Sequence, residues 1–581
     1  MKRNRIISLL LAVTLLISLC CTGCAKWPGS TITIEAPTTE VPAEPAEEPG
    51  TDEENGIPVR MQNGGWLSFL PEEPLSIPKL SEMPYVRPDA EKLIAAIEAL
   101  TEKVPGCNDA QALLNDYYPI AVQIYNFYTM QSLACFHYYM DTSDSFFAEE
   151  YDFLNEQAGV ESEAESALYA AFAASPCRDD LEKAYFGEGF FLDYDDFNAA
   201  DESYFDLQQQ ENDLVFQYHE LTSKADYSSY SQILRDHDAA GQIFIELVKV
   251  RQKIAEAKGY ANYMDYSYAC GFKRDYTTAQ AREYLSMIKT VLAPLVQDLI
   301  NTDQLFTYFG YDKSKAMELL CAAAEKMGGP VWEAFRFMVG YELYDISDVN
   351  TKRDGAYMDY LQNYQAPIIF IGHSWGDVIC SLVHEFGHYC DYYFNYGVAG
   401  GFEIAETYSQ AMEYLSFAYA EPLLDGPRAS CLRAALWDML TIAILQEGAY
   451  ADFELQVYAL SPEELTVEHL DAIFGQCMED YGIAGMTGAR SKSYFWSAYH
   501  HFFDSDGYVI SYSVSAVAAM QICRLEAEKP GAGVDAFCRL LNRTHGKKFA
   551  AVLAEVGLDS PFEEATLGKT AEFLKDTFNI N

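Results

Sequence analysis

The chain has 581 residues, and its 87 aspartates and glutamates outnumber its 39 lysines and arginines to give a formal net charge of −48. Half of the residues are hydrophobic and 14% are aromatic, so the chain can bury a large core and is not a disordered acidic polymer. A protein this negative lacks the surplus of basic residues that neutralises phosphates, which excludes nucleic acid as a partner and electrostatic docking on anionic lipid.

The first residues resemble a bacterial lipoprotein signal peptide. Three basic residues among the first five precede the apolar run Ile6–Cys21, which is short for a membrane span and typical of a secretory signal. The run leads into Cys-Thr-Gly-Cys, a lipobox-like sequence that ends at Cys24, with Cys20 as a poorer alternative. We predict a signal peptide at residues 1–23 and a lipid on Cys24 as the only membrane contact; an uncleaved anchor is the other interpretation. Either one places the protein outside the cytoplasmic membrane.

Residues 24–58 are predicted to be an extended tether. Six prolines interrupt this segment, and eight acidic residues face a single basic residue, Lys26. Such a composition cannot bury enough apolar surface to offset its ordering entropy. From about Val59 onward, apolar residues recur at three- and four-residue spacing, which predicts a mainly α-helical body. We divide this body into an N-terminal helical region, residues 59–230, and a second region, residues 231–575.

The second region contains the sequence His384-Glu-Phe-Gly-His388. Histidines four residues apart project from one face of a helix and can bind one zinc ion. Glu385 follows the first histidine, where its carboxylate can reach a water on that ion. This pattern predicts a zinc site, and a catalytic zinc site needs a third protein ligand and an open position.

The third ligand is expected on a second helical pattern that begins near Phe402. Glu406 lies 22 residues after His384, a distance that lets a second helix return to the metal, and Glu403 is a competing candidate one turn earlier. Glu413 lies two turns beyond Glu406 on the same helix face. There it either hydrogen-bonds a liganding imidazole or is a solvated surface charge.

These residues resemble the zinc oligopeptidase family of thimet oligopeptidase and bacterial oligoendopeptidase F. His384–His388 looks like the family's HExGH, and Glu406–Glu413 is similar to the segment in which a glutamate, followed three residues later by a serine, supplies the third zinc ligand. The resemblance therefore favours Glu406 over Glu403 and implies one Zn²⁺ per chain, bound by His384, His388 and Glu406.

Two stretches upstream of the histidines extend the resemblance. Lys352–Tyr357 resembles the family's KRxGAY run, and Pro367–Ile371 resembles the strand that edges the family's substrate cleft. Pro367–Ile371 is also a short apolar run bounded by turn residues, which by itself predicts a strand. Asp377 is predicted to cap the metal-binding helix.

Residues 496–512 resemble the family's His-Phe-Tyr and Tyr-x-x-x-Tyr segment. Counting from Trp496 aligns His501, rather than His500, with the family histidine. In the family, a histidine and tyrosines at these positions donate hydrogen bonds to the tetrahedral oxyanion and to the substrate. The residues that the resemblance assigns to this role are His501, Tyr508 and Tyr512.

The resemblance implies a large, mainly α, zincin-type peptidase with a deep substrate channel and a small β element edging the cleft. It implies a zinc-dependent endopeptidase that hydrolyses oligopeptides outside the cell membrane, with Glu385 as general base. We expect a monomer. Two alternatives stay open: an exopeptidase that resembles dipeptidyl carboxypeptidases, and a lipoprotein that binds peptides without cutting them.

Overall fold

The computed structural model describes residues 77–580, apart from residues 188, 193, 195–201, 223–229, 301–312, 354, 373–377, 398–399, 421–427 and 487. The predicted signal peptide, the predicted tether and Asp377 lie outside these residues. The described part of the chain is largely helical and contains a three-stranded sheet, which confirms the mainly α fold class.

The helices of eight or more residues are numbered in chain order. Those before the sheet are α1 (Ala90–Lys103), α2 (Ala110–Met140), α3 (Ser145–Ala173), α4 (Glu202–Thr222), α5 (Tyr230–Ala257), α6 (Thr278–Val291), α7 (Ala293–Ile300), α8 (Lys313–Met327) and α9 (Gly329–Gly340). Those after it are α10 (Val378–Asn395), α11 (Phe402–Tyr419), α12 (Arg428–Asp438), α13 (Glu447–Val457), α14 (Val467–Asp480), α15 (Ile510–Glu528), α16 (Ala532–Leu541), α17 (Phe549–Val556) and α18 (Glu564–Phe578).

Local sequence signals explain where several helices begin. Asp89 and Asp109 accept hydrogen bonds from backbone N–H groups in the first turns of α1 and α2. Thr277 and Gln280 form a capping box at the start of α6. These side chains satisfy N–H groups that have no partner within the helix.

The sheet consists of β1 (Tyr344–Asp345), β2 (Ala356–Leu361) and β3 (Ala366–Ile371) in the order β1-β3-β2. β2 and β3 form an antiparallel hairpin, and β1 pairs with β3 in parallel. The predicted strand at 367–371 is therefore confirmed as part of β3. β3 lies in the centre of the sheet, between the other two strands. Strand order depends on which segments pair in space, and a single strand's sequence does not encode it.

The centre of the second region is a stack of helices. α10 packs against the sheet on one side and against α11 on the other, and α11 packs against α15. At the crossing of α10 and α11, a Cβ on Gly387 would lie 2.6 Å from the Ser409 Cα and the Tyr408 carbonyl oxygen. Glycine therefore allows the two backbones to approach closely, which brings side chains of both helices to one point.

One helical run is apolar enough to be compared with a membrane span. Ala429–Val457 passes from α12 through the π-helical segment Met439–Gln446 into α13, and its most apolar window has a mean hydropathy of 1.2. Because 56% of that window is buried inside the protein and the run packs against α14 and α15, we assign it to the core.

Candidate active site

The two histidines of the motif lie on α10 as the spacing predicts. The ring centroids of His384 and His388 are 5.1 Å apart. The opposite face of α10 carries buried apolar residues, including Leu382, Val383 and Phe386, which anchor the helix in the core. The amphipathic pattern of α10 thus fixes both imidazoles on the side that faces α11.

Glu406 of α11 completes a set of three candidate metal ligands. One ligand atom from each of His384, His388 and Glu406 lies within 4.8 Å of the others. The Glu406 Oε2 atom lies 3.6 Å from His384 Nε2 and 3.7 Å from His388 Nε2. Ligand atoms about 2.1 Å from one tetrahedral zinc ion lie roughly 3.4 Å apart. Two imidazoles and one carboxylate at this spacing fit zinc and leave a fourth position open.

Two further side chains on α11 orient these candidate ligands. Glu413 Oε1 lies 2.7 Å from His384 Nδ1, which leaves Nε2 directed at Glu406. Ser409 Oγ donates a hydrogen bond to Glu406 Oε2 at 2.9 Å. A carboxylate behind a liganding imidazole fixes the tautomer and raises the basicity of the ligand. Of the two interpretations of Glu413, the structure therefore favours the hydrogen-bonding one.

Glu403, the competing candidate, is engaged elsewhere. Its Oε1 atom accepts hydrogen bonds from Arg274 Nε at 2.7 Å, from the Tyr276 hydroxyl at 2.7 Å and from Ser511 Oγ at 3.0 Å. Burial acts to raise the pKa of the Glu403 carboxyl, but the charge of the buried Arg274 together with the hydrogen bonds from Arg274 and Tyr276 outweighs it and lowers that pKa. Glu403 thus neutralises a buried cation. Sequence reasoning missed Arg274 and Tyr276, since they lie about 130 residues upstream and outside any motif.

Glu385 lies between α10 and the outer edge of β2. The backbone N–H of Met358 on β2 hydrogen-bonds to its carboxylate, so this N–H points away from β3. Burial raises the pKa of Glu385 to about 7, with His384 acting to lower it and Glu406 to raise it. A carboxyl group that titrates near neutrality suits general base catalysis. The strand whose outer edge borders Glu385 is therefore β2.

The pKa values of the two histidines are shifted in opposite directions. Burial lowers the pKa of His384, but the hydrogen bond and charge of Glu413, together with the charges of Glu406 and Glu385, outweigh burial and raise it to about 9. Burial and the nearby His384 cation hold the pKa of His388 well below its ordinary value. Without metal, His384 is therefore in its cationic form at neutral pH, with a proton on each ring nitrogen.

The structure brings the three predicted donors together next to Glu406. The Tyr508 hydroxyl donates a hydrogen bond to Glu406 Oε1 at 3.1 Å. The Tyr508 ring centroid lies 5.1 Å from that of His501 and 5.0 Å from that of Tyr512. Gly507, with a φ of 82°, provides the turn between His501 and Tyr508 and donates its N–H to Glu454.

His500, the alternative to His501, is directed at Asp504. Its Nδ1 atom lies 3.3 Å from Asp504 Oδ2, and its side chain is 22% exposed. His501 is only 2% exposed and contacts both Tyr508 and Tyr512. The geometry thus agrees with the alignment that selected His501.

Gly387 provides a test of how the helix crossing positions Glu406. We expect Gly387→Ala to separate α10 from α11, because the new Cβ would clash with backbone atoms that cannot rotate away. Overpacking of this kind costs about 1–3 kcal/mol of stability. Equilibrium metal binding and denaturant unfolding of the variant should show weaker binding together with lower stability. Gly568→Ala is a matched control, since nothing lies within 4 Å of a Cβ there. Unchanged metal affinity in Gly387→Ala would contradict this account.

Metal binding should depend on pH through His384. A histidine with a pKa of about 9 must lose its proton before it can bind metal, so binding at pH 7 should release about one proton. Affinity should therefore rise about tenfold per pH unit from pH 7 and level off above pH 9. Calorimetry in buffers of different protonation enthalpy measures this release. Glu413→Gln should reduce it, and an absence of proton release in the wild-type protein would contradict the prediction.

The fold and the site together define a helical protein with an HExxH-type metal centre, and comparison with known proteins agrees. The Peptidase M3 N-terminal domain matches residues 80–206, and Peptidase family M3 matches residues 320–572. The chain belongs to Peptidase family M3, which confirms the predicted resemblance to the zinc oligopeptidases.

Two curated relatives match part of the chain. Oligoendopeptidase F from Lactococcus lactis subsp. cremoris is 27% identical over 225 residues, which is 36% of each protein. An oligoendopeptidase F homolog from Lactococcus lactis subsp. lactis strain IL1403 is 28% identical over 233 residues, 38% of this chain and 37% of the relative. The matched segments span little more than a third of these relatives.

Solved structures share the fold over most of the chain. PZ peptidase A, solved with an inhibitor, has a TM-score of 0.72 and 21% identity, and the match covers 86% of this chain and 99% of that one. A protein solved as an oligoendopeptidase F from Bacillus anthracis strain Ames has a TM-score of 0.68 and 21% identity, over 86% and 98% of the two chains. At this identity the likeness establishes the helical fold.

Proposed function

We propose that the protein is a zinc-dependent endopeptidase that hydrolyses oligopeptides outside the cell membrane, where a lipid on Cys24 holds it. The observation that carries this proposal is the convergence of His384, His388 and Glu406 on one point, with Glu385 beside them. Membership of Peptidase family M3 supports the reaction class. The lipobox-like sequence supports the location.

The reaction would divide its tasks among metal, base and donors. A bound zinc ion would supply a Lewis acid that makes a water acidic near neutral pH and polarises the scissile carbonyl. Glu385 would accept the proton of the attacking water and pass it to the leaving amine. Its position beside the three candidate ligands, next to His384 on α10, suits it to this role.

The aromatic cluster would stabilise the oxyanion. His501, Tyr508 and Tyr512 form a cluster next to Glu406, in which the Tyr508 hydroxyl contacts the carboxylate, and all three are largely buried. Buried donors that are already in place stabilise developing charge without reorganisation. The outer edge of β2, next to Glu385, would pair with an extended peptide by strand addition.

The proposal is tested with an internally quenched peptide of about eight residues whose C-terminus is amidated. Cleavage at an internal bond, abolished by a chelator and restored by Zn²⁺, is the expected result. Cleavage of the free-acid peptide alone would indicate the exopeptidase alternative, because only an exopeptidase needs the terminal carboxylate. Binding of both peptides without cleavage, with zinc bound, would indicate a peptide-binding lipoprotein.

Tyr508→Phe tests the role of the aromatic cluster. We expect turnover to fall by about a hundredfold, because loss of one oxyanion donor typically has this effect. Zinc should stay bound, since the Tyr508 hydroxyl hydrogen-bonds to the Oε1 atom of Glu406, whereas the Oε2 atom faces the histidines. Kinetics and metal analysis of the same preparation separate these outcomes. Tyr117→Phe, which removes a buried hydroxyl on α2, is the control. A wild-type rate in Tyr508→Phe would remove Tyr508 from the mechanism.

A further inference from the structure

A second group of metal-ligating side chains lies beside the first. One ligand atom from each of His500, His501 and Asp504 lies within 4.8 Å of the others. His219 of α4 approaches the same carboxylate, with its Nε2 atom 3.5 Å from Asp504 Oδ2. We call His219, His500, His501 and Asp504 the His–Asp cluster. Three of the ten histidines of the chain meet here at one carboxylate.

The backbone that carries the His–Asp cluster is held rigidly. The rings of Tyr218 and Phe503 stack at a centroid distance of 3.6 Å, which joins α4 to the short helix His501–Asp504. Arg251 is buried, donates to the carbonyl of Phe502 at 2.9 Å and forms an ion pair with Asp506 at 2.9 Å. The candidate ligands are thus presented by a fixed framework, which lowers the entropy that metal binding must offset.

The His–Asp cluster extends from solvent to the candidate active site. The side chains of His219, His500 and Asp504 are 50%, 22% and 20% exposed, so an ion can reach them. His501 is buried and contacts Tyr508. The convergent ligand atoms come from two imidazoles and a carboxylate, which zinc and similar divalent transition metals prefer, and His219 contacts that carboxylate from the solvent side.

We propose that the His–Asp cluster binds a second zinc ion, separate from the ion of His384, His388 and Glu406, and that this ion positions His501 for the proposed reaction. An ion on one ring nitrogen of His501 leaves the proton on the other nitrogen, which fixes the imidazole as a hydrogen-bond donor. The positioning role rests on the proposed function, whereas the binding of the ion does not. The second site should be the weaker one, because His500 and Asp504 are more exposed than any of the three ligands of the first site.

The test is a titration of metal-free protein with Zn²⁺ against a chromophoric chelator. We expect two ions per chain in the wild type and one in His500→Ala. His219→Ala changes a half-exposed side chain and should fold normally; it should weaken the second site by about tenfold or more. His469→Ala removes a partly exposed histidine on α14 and should keep both ions. One ion in the wild type, or two tight ions in both His500→Ala and His219→Ala, would overturn the proposed site.

Two further measurements separate this proposal from the proposed function. Glu385→Gln should still bind two ions, so a failure of catalysis leaves the binding result intact. In active protein, turnover should rise when the second equivalent of Zn²⁺ is added to the wild type but not when it is added to His219→Ala. Turnover that falls or stays constant while the second ion binds would overturn the positioning role of His501.

Discussion

Replacing Glu385 with glutamine should lower peptide hydrolysis by at least about a hundredfold while zinc stays bound. The amide keeps the size of the side chain but cannot accept the proton of the attacking water, and general base catalysis contributes about 10²–10⁴-fold. Glu385 is not one of the three side chains whose ligand atoms converge, so the metal site should keep its affinity. Turnover and bound zinc are measured on the same purified protein.

A buried glutamate far from the site provides the matched control. Glu161 on α3 is fully buried and accepts a hydrogen bond from the Tyr128 hydroxyl, and burial together with the nearby Glu165 raises its pKa. Both effects favour the neutral form, which glutamine resembles, so Glu161→Gln should leave both turnover and zinc content unchanged. A zinc-loaded Glu385→Gln protein with the wild-type rate would show that another group accepts the proton.

The second prediction with a large effect distinguishes Glu406 from Glu403, which lies one turn earlier on α11. Glu406→Gln should bind zinc more weakly, by about a hundredfold or more. Loss of a residue that only hydrogen-bonds to a metal ligand already lowers metal affinity by about 10–100-fold, and loss of the ligand itself should lower it at least as much. Hydrolysis at limiting zinc should fall in parallel. The fold should be retained, since Ser409 and Tyr508 can still hydrogen-bond to the amide.

Glu403→Gln should give the opposite result. Zinc should stay bound, but the buried Arg274 would lose its counter-charge, and breaking a buried ion pair on one side costs about 3–5 kcal/mol. Denaturant unfolding should therefore show a large loss of stability in Glu403→Gln and a small one in Glu406→Gln. If Glu403→Gln lost zinc and Glu406→Gln kept it, the assignment of the third ligand would have to be exchanged.

Glu403 and Glu406 also show how the partners of two buried carboxylates, one helical turn apart, distinguish them. Both lie on α11 and both are nearly inaccessible to solvent. Glu403 faces the cation Arg274, whereas Glu406 faces two imidazoles and the hydroxyls of Ser409 and Tyr508. A buried carboxylate needs a compensating partner, and the nature of that partner decides whether it stabilises the fold or is suited to bind a metal.

Local sequence was sufficient wherever the relevant information is periodic or contiguous. The four-residue spacing of His384 and His388 placed both imidazoles on one face of α10, because the helical repeat is a property of the backbone alone. The three- and four-residue apolar pattern predicted a mainly helical body, and the short β-branched run predicted the strand β3. The choice of Glu406 over Glu403 needed the family resemblance in addition.

Contacts between distant segments were decided only by the tertiary structure. The sequence of Pro367–Ile371 predicted a strand but not its central place, because strand order follows from which segments pair. Arg274, about 130 residues before Glu403, and His219, about 280 residues before Asp504, carry no local pattern that announces their partners. The sequence by itself therefore determined the helical class, the histidine pair and the position of Glu385 next to it. Which carboxylate joins the histidines, which strand borders Glu385 and which histidines meet at Asp504 depend on how the helices pack, and packing is a property of the whole core.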